Sequence, residues 1–275
     1  MDSVTQVMLG AAIGEAVLGR KVGYRAVLWG GICGTIPDLD VFIPFANAVA
    51  DFTYHRSFSH SLFVLTLLSP LIVWLILKIH PQTSVYKRGW LWLVLLALIT
   101  HPLLDSFTVY GTQILWPFIT TPVNWSTIFI IDPLYTLPLI IGVLSALLLR
   151  RRSLRGHQIN TIGLIVSAFY LSWSVAAKFY VDQHTQQSLN RQGIRYEKTL
   201  SMAAPFNTLL WRVVALTDDS YYEGYYSLLD QTPDIRFKKY EKQPQLLSTL
   251  QNHWPVQRLA WFTKGFYKAD REGND

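Results

Sequence analysis

Apolar and polar positions follow one another along this chain in blocks too long for an ordinary soluble core. Apolar runs cover roughly 4–18, 26–45, 62–79, 90–104, 128–149 and 161–179, and a helix that crosses a bilayer needs about 20 such residues. The third, fifth and sixth runs meet that need. The first is short, carries Glu15 among several Gly and Ala, and reads as a packed or half-inserted helix. The second is interrupted by Pro37, Asp38 and Asp40, and the fourth falls short unless its helix continues past His101.

After residue 180 the pattern changes to polar, charged and tyrosine-rich. LLWRVVALT and YYEGYYSLL alternate as two strands around a DDS turn, and QLLSTLQNHWPVQRLAWFTKGFYK reads as one or two amphipathic helices broken near Pro255. The expectation is a mainly α protein: a multipass helical membrane domain over 1–180, followed by a small α+β domain over 181–275.

Composition supports this division. Of 275 residues, 51% are hydrophobic and only 15% charged, against about 25% charged in an average soluble domain. The net charge of +6 raises nucleic acid as a partner, but the basic residues recur between apolar runs and form no single face, which argues against it. Cys33 is the lone cysteine, so no intramolecular disulfide is expected, and MDSVTQ lacks the basic start of a cleavable signal peptide.

The connections carry orientation. Arg20, Lys21 and Arg25, then Lys78, Lys87 and Arg88, then Arg150, Arg151, Arg152 and Arg155 occupy alternate connections. By the positive-inside rule these face the cytoplasm of an inner membrane, and 37–60, 105–127 and the C-terminal domain face outward.

On that outward side the ionisable residues converge. PDLD supplies Asp38 and Asp40, HRSFSH supplies His55 and His60, THPLLD supplies His101 and Asp105, and FIIDP supplies Asp132. Imidazoles and carboxylates are the ligands expected of Zn²⁺, with Mn²⁺ or Fe²⁺ less preferred. His101 and Asp105 share a helical face. Asp38 and Asp40 cannot share one, but an extended turn at Pro37 would let both point inward. Asp132 before Pro133 serves equally well as a helix cap, and Ser57, Ser59 and Ser61 read as caps or as donors to the ligands. Glu15 reads as a partner for Arg20 or Arg25, or as a group that reaches the cluster. Arg56 suits a phosphate or carboxylate, or an ion pair with Asp51.

PDLD, HRSFSHS, HPLLDSFTVYGTQ with a following WPF, and IDP, in this order over roughly 1–180, resemble the YdjM-like family of predicted membrane-bound metal-dependent hydrolases. The resemblance implies metal ligands at Asp38, Asp40, His55, His60, His101 and Asp105. A more distant likeness of ligand arrangement links that family to zinc-dependent phospholipase C and the S1/P1 nucleases. Many members carry a TH pair near the N-terminus where this chain has Thr5-Gln6, so either a metal position is altered or Asp2 substitutes.

The resulting expectation is a hydrolase with one or two metal ions at the outer face, acting on a lipid or lipid-linked phosphate ester. Asp40 would accept the proton and Arg56 would neutralise the phosphate. Two rivals stand beside it. One is a transporter whose ionisable groups line a pathway. The other is a scaffold with a structural metal, binding a protein partner through 181–275.

Overall fold

The computed structural model describes residues 1–149, 154–232, 234–247 and 249–270. Of the basic connection between the fifth and sixth apolar runs, Arg150, Arg151 and Arg152 lie outside the described residues.

The first apolar run folds as helix α1 (Ser3–Gly14), which widens into one π turn over Glu15–Gly19. The chain reverses at Gly23, whose φ of 70° suits glycine, into α2 (Tyr24–Thr35). A Cβ on Gly10 would collide with the carbonyl oxygen of Gly30, and one on Gly30 with that of Gly10. The two helices therefore touch backbone to backbone. Helices meeting in lipid gain nothing from expelling water, so small residues that permit close approach replace large apolar ones at the contact.

Helix α3 (Ala48–Tyr54) is a short surface helix, capped by Asn47. Helix α4 (Leu62–Ile79) follows, with Ser61 as its N-cap. After a 3-10 turn over Pro81–Tyr86, the fourth apolar run lies in α5 (Lys87–Ser106), which does continue past His101. The fifth yields only a 16-residue helix, α6 (Pro133–Leu148), because Asp132 caps it and Pro133 opens it. Helix α7 (Leu154–Arg191) has 38 residues and a length of about 57 Å, far beyond a hydrocarbon core of about 30 Å.

By length and hydropathy, Leu62–Ile79, Pro81–Ser106 and Leu154–Arg191 can each cross a membrane, and Pro133–Leu148 is a shorter apolar helix. Their outward faces carry exposed Leu67, Leu71, Trp74, Ile165 and Phe169, as lipid contact requires. Inside, Leu18, Leu65, Ile76, Trp90, Leu93 and Leu98 form one buried cluster. Leu9, Ile13, Leu104, Tyr135 and Leu139 form another.

Helix α7 passes residue 180 without a break, and its far end carries the C-terminal region. Ala177 and Val181 pack against Trp211, Val213 and Tyr226 of an antiparallel sheet and against Ile235 in the segment before its last strand. The two expected strands are β2 (Leu210–Leu216) and β3 (Ser220–Ser227). They are flanked by β1 (Lys198–Ala203) and β4 (Lys238–Glu241) in the order β1-β2-β3-β4. Pro255 starts α8 (Trp254–Phe262) rather than breaking a helix. That helix packs on α3, with the Phe262 ring 5.2 Å from Phe52 and 5.5 Å from Tyr110.

Candidate metal centre

Three segments bring four ligand atoms to one point. Asp38 comes from a 3-10 turn, Ile36–Phe42, that continues α2. His60 ends a second 3-10 turn, Phe58–His60, just before α4, and His101 and Asp105 stand one turn apart on α5. One ligand atom from each lies within 4.8 Å of all the others.

Five of the six separations are measured along the edges of a tetrahedron. His60 Nε2 is 3.2 Å from His101 Nε2, 3.4 Å from Asp38 Oδ1 and 3.3 Å from Asp105 Oδ2. His101 Nε2 is 3.3 Å from Asp38 Oδ1 and 3.5 Å from Asp105 Oδ2. A tetrahedral ion with bonds of about 2.0–2.1 Å has edges of about 3.3–3.4 Å.

The protonation pattern points the same way. His101 Nδ1 is 2.7 Å from the Gly34 carbonyl oxygen, which can only accept, so Nδ1 carries a proton and, in the neutral ring, Nε2 keeps a lone pair. Ser59 Oγ donates to Asp40 Oδ2 at 2.5 Å, which leaves it free to accept from His60 Nδ1 at 2.9 Å. In the neutral ring His60 Nε2 is then also a lone pair. Asp38 Oδ1 and Asp105 Oδ2 are buried without a hydrogen-bond partner. With both rings neutral, four acceptors face one another beside the Arg56 guanidinium, an arrangement that a bound cation would favour.

Asp40 and His55 lie beside this set, paired with each other at 2.8 Å through Asp40 Oδ1 and His55 Nδ1. The turn at 36–42 is helical rather than extended. At three residues per turn, positions two apart point about 120° from each other, so Asp38 faces the cluster while Asp40 faces the HRSFSH segment. There Asp40 also accepts from the Arg56 backbone N–H at 3.0 Å. Burial pushes the Asp40 carboxyl up, but His55, Ser59 and the Arg56 amide outweigh burial and hold it below the ordinary value.

Arg56 adopts φ +65°, a conformation uncommon outside glycine. The residue is 94% buried, with Nε 3.3 Å from Asp105 Oδ2 and the guanidinium 4.8 Å from the centre of the Tyr110 ring. Nη1 has no hydrogen-bond partner. Asp51, the other candidate partner, instead accepts from the Phe45 amide. Burial pushes the Tyr110 hydroxyl up to about 12, so it stays a donor, to the Phe52 carbonyl.

Gln6 donates to Asp105 Oδ1 at 3.0 Å and to the His101 carbonyl at 3.2 Å, and the Met1 amino group also meets Asp105 Oδ1. Asp2 caps α1 through Thr5 and is not among the converging ligands. Asp132 caps α6 and accepts from Tyr170 at 2.8 Å. Glu15 pairs with neither Arg20 nor Arg25. It accepts from Asn160 at 2.9 Å and lies 3.3 Å from His157 Nδ1.

The Gly34 carbonyl and Tyr110 are parts of the site that sequence reading did not single out. A backbone acceptor carries no side-chain signature, and Tyr110 reaches its place only through the loop after α5. Ser61 caps α4, as one of the two readings of the serines had it.

The fold and these residues define a helical membrane protein with a set of His and Asp side chains that can bind a metal ion. The chain belongs to the YdjM inner membrane protein family, whose model matches residues 1–181. It is also 33% identical over 140 residues to the uncharacterized protein YfhP of Bacillus subtilis (strain 168). That match covers 48% of this chain and 42% of the relative. No solved structure matches.

Proposed function

We propose that this chain is a membrane-bound, metal-dependent hydrolase of a phosphate ester carried by a lipid or lipid-linked substrate. The observation that carries the reading is the meeting of four His and Asp ligand atoms, all within 4.8 Å of one another, beside a buried Arg56 with an unpartnered Nη1. Asp38, His60, His101 and Asp105 are the ligands. Two imidazoles with two carboxylates at tetrahedral edges favour Zn²⁺, with Mn²⁺ second.

A divalent ion supplies Lewis acidity, which makes water nucleophilic near neutral pH. Arg56 offsets the charge of the phosphate, in the manner of guanidinium–phosphate pairs. His55, half-buried and held by Asp40, takes the proton from the attacking water, while Asp40 fixes the ring and stabilises its charged form. A second ion, if one binds, would draw on Asp40 and His55. The alternation of basic connections supports an outer-face position for this site and residues 181–275.

The test is hydrolysis of phospholipid and polyprenyl-diphosphate substrates by the detergent-purified chain, with and without chelator, beside elemental analysis. Bound Zn or Mn together with chelator-sensitive product supports the reading, and His55→Ala should then lose turnover while keeping its metal. Metal-bound protein with no product on any phosphoester would favour a second reading. Four protein ligands close a tetrahedral site, which is the habit of structural zinc. In that reading the metal holds α2, α4 and α5 together, and 181–275 is a surface for a protein partner.

A further inference from the structure

Asp38 is the one cluster residue with a partly exposed side chain, at 20%, while His60, His101 and Asp105 are sealed. Whatever reaches the cluster therefore passes Asp38, and the surroundings of that entrance decide what can approach. Along the chain that follows Asp40 they are apolar and uncharged as far as residue 50. Leu39 is 50% exposed, Val41 67% and Phe42 79%, and residues 41–50, VFIPFANAVA, carry no charge. The segment after α5 meets the HRSFSH segment, where the Gln113 backbone amide donates to the Arg56 carbonyl at 3.0 Å. Residues 107–131 contain no Lys, Arg, Asp or Glu in 25 positions, and outside one isolated bridge they form no helix or strand. Phe118 is 74% exposed and Ile119 52%.

Loops in water are normally polar and charged, as those of the C-terminal sheet in this chain are. Exposed aromatic and apolar side chains on charge-free loops belong at the headgroup level of a bilayer.

Depth can be argued independently. Helix α4 has 18 residues, a length of about 27 Å. It crosses a core of about 30 Å only if its first residues are already at the hydrocarbon boundary. His60 lies two positions before that helix, and Ser61 Oγ donates to the Trp116 carbonyl at 2.5 Å. The Phe118 ring packs 4.8 Å from Phe63, in the first turn of α4. Phe118 and His60 are thus tied to the boundary by direct contacts. The Ile36–Phe42 turn packs against the turn carrying His60.

We propose that the mouth of the metal cluster is immersed in the headgroup–acyl boundary, so that its occupant is a phospholipid or similar amphiphile delivered sideways by the bilayer. The proposal rests on the metal-centre reading only for what the mouth leads to. The immersion itself needs neither metal nor turnover.

The test uses the full chain in phospholipid vesicles. Spin labels are placed at Phe42→Cys and Phe118→Cys, with Cys33 buried and out of reach of the reagent. Leu71→Cys on α4 is the lipid control and Tyr225→Cys on the sheet is the aqueous control. Collision with oxygen is compared with collision with a water-soluble nickel chelate. Labels at 42 and 118 should show an oxygen-to-nickel ratio severalfold above that at 225 and approaching that at 71. A ratio at either site equal to that at 225 would overturn the proposal. The unlabelled parent gives a second reading that no substitution can disturb. A phospholipid with a photoreactive group near its glycerol should crosslink to peptides containing 39–45 and 115–120, and absence of both crosslinks also overturns it. Loss of hydrolysis with immersion intact would sink the catalytic reading and leave this one standing.

Discussion

Helix α1 touches two buried polar clusters, and they differ in one respect that matters. Near its C-terminus Glu15 is met by donors: Asn160 Nδ2 at 2.9 Å and His157 Nδ1 at 3.3 Å. Near its N-terminus, past Gln6, stand Asp38, His60, His101 and Asp105, whose facing atoms are all acceptors. In the first cluster the carboxylate is matched by hydrogen-bond donors and can be buried. The second, with its rings neutral, would be completed by a cation. Burial of ionisable groups in a helical membrane protein is therefore no sign of metal by itself. The direction of the hydrogen bonds separates a packed polar contact from a ligand set.

The comparison can be broken most directly at Asp105. Asp105→Ala should abolish co-purified metal. It also leaves Arg56 buried without its carboxylate, for a further stability loss of about 3–5 kcal/mol. His101→Ala should lose the metal with less damage to the fold, which elemental analysis beside thermal unfolding will separate. Retention of metal in both variants would remove the distinction between the clusters.

A smaller effect is expected from Ser59→Ala. It removes the hydroxyl that links Asp40 to His60 Nδ1 but leaves all four ligands, and metal affinity should fall by about 10–100-fold in a chelator competition. Glu15→Ala should leave metal content unchanged and cost about 1–3 kcal/mol, since it strips Asn160 of one acceptor. Metal loss in that variant would show that the two ends of α1 are not independent. Smallest is Asp2→Ala, which removes the α1 cap and should cost about 1 kcal/mol with no change in metal. A large metal effect would mean that Asp2 takes part after all.

Much of this was legible from residue order. His101 and Asp105 share a face because any helix through THPLLD places them so. The two central strands announced themselves by alternation around DDS. The outer strands did not, because KTLSMA and KKYE are short and polar and form only by pairing with β2 and β3. The partner of Glu15 is 142 residues away in the chain, beyond any local pattern. Helix α8 reads as part of the appendage, yet its Arg258 donates to Thr53 at 2.9 Å and its Phe262 lies on Tyr110, one residue layer from Arg56.

By itself the sequence determined the membrane character, the helical class and the His and Asp residues that can bind a metal ion, since apolar run length and ligand chemistry are properties of composition and spacing. Tertiary structure alone decided that Asp38 joins His60, His101 and Asp105 while Asp40 turns to His55. That choice depends on whether Pro37 opens an extended turn or a 3-10 helix, and the chain settles it through contacts of Asp40 with HRSFSH fifteen or more residues away. Tertiary structure also decided which imidazole nitrogens keep their lone pairs, because the Gly34 carbonyl and Ser59 hydroxyl that fix the protons reach the rings only in the folded chain.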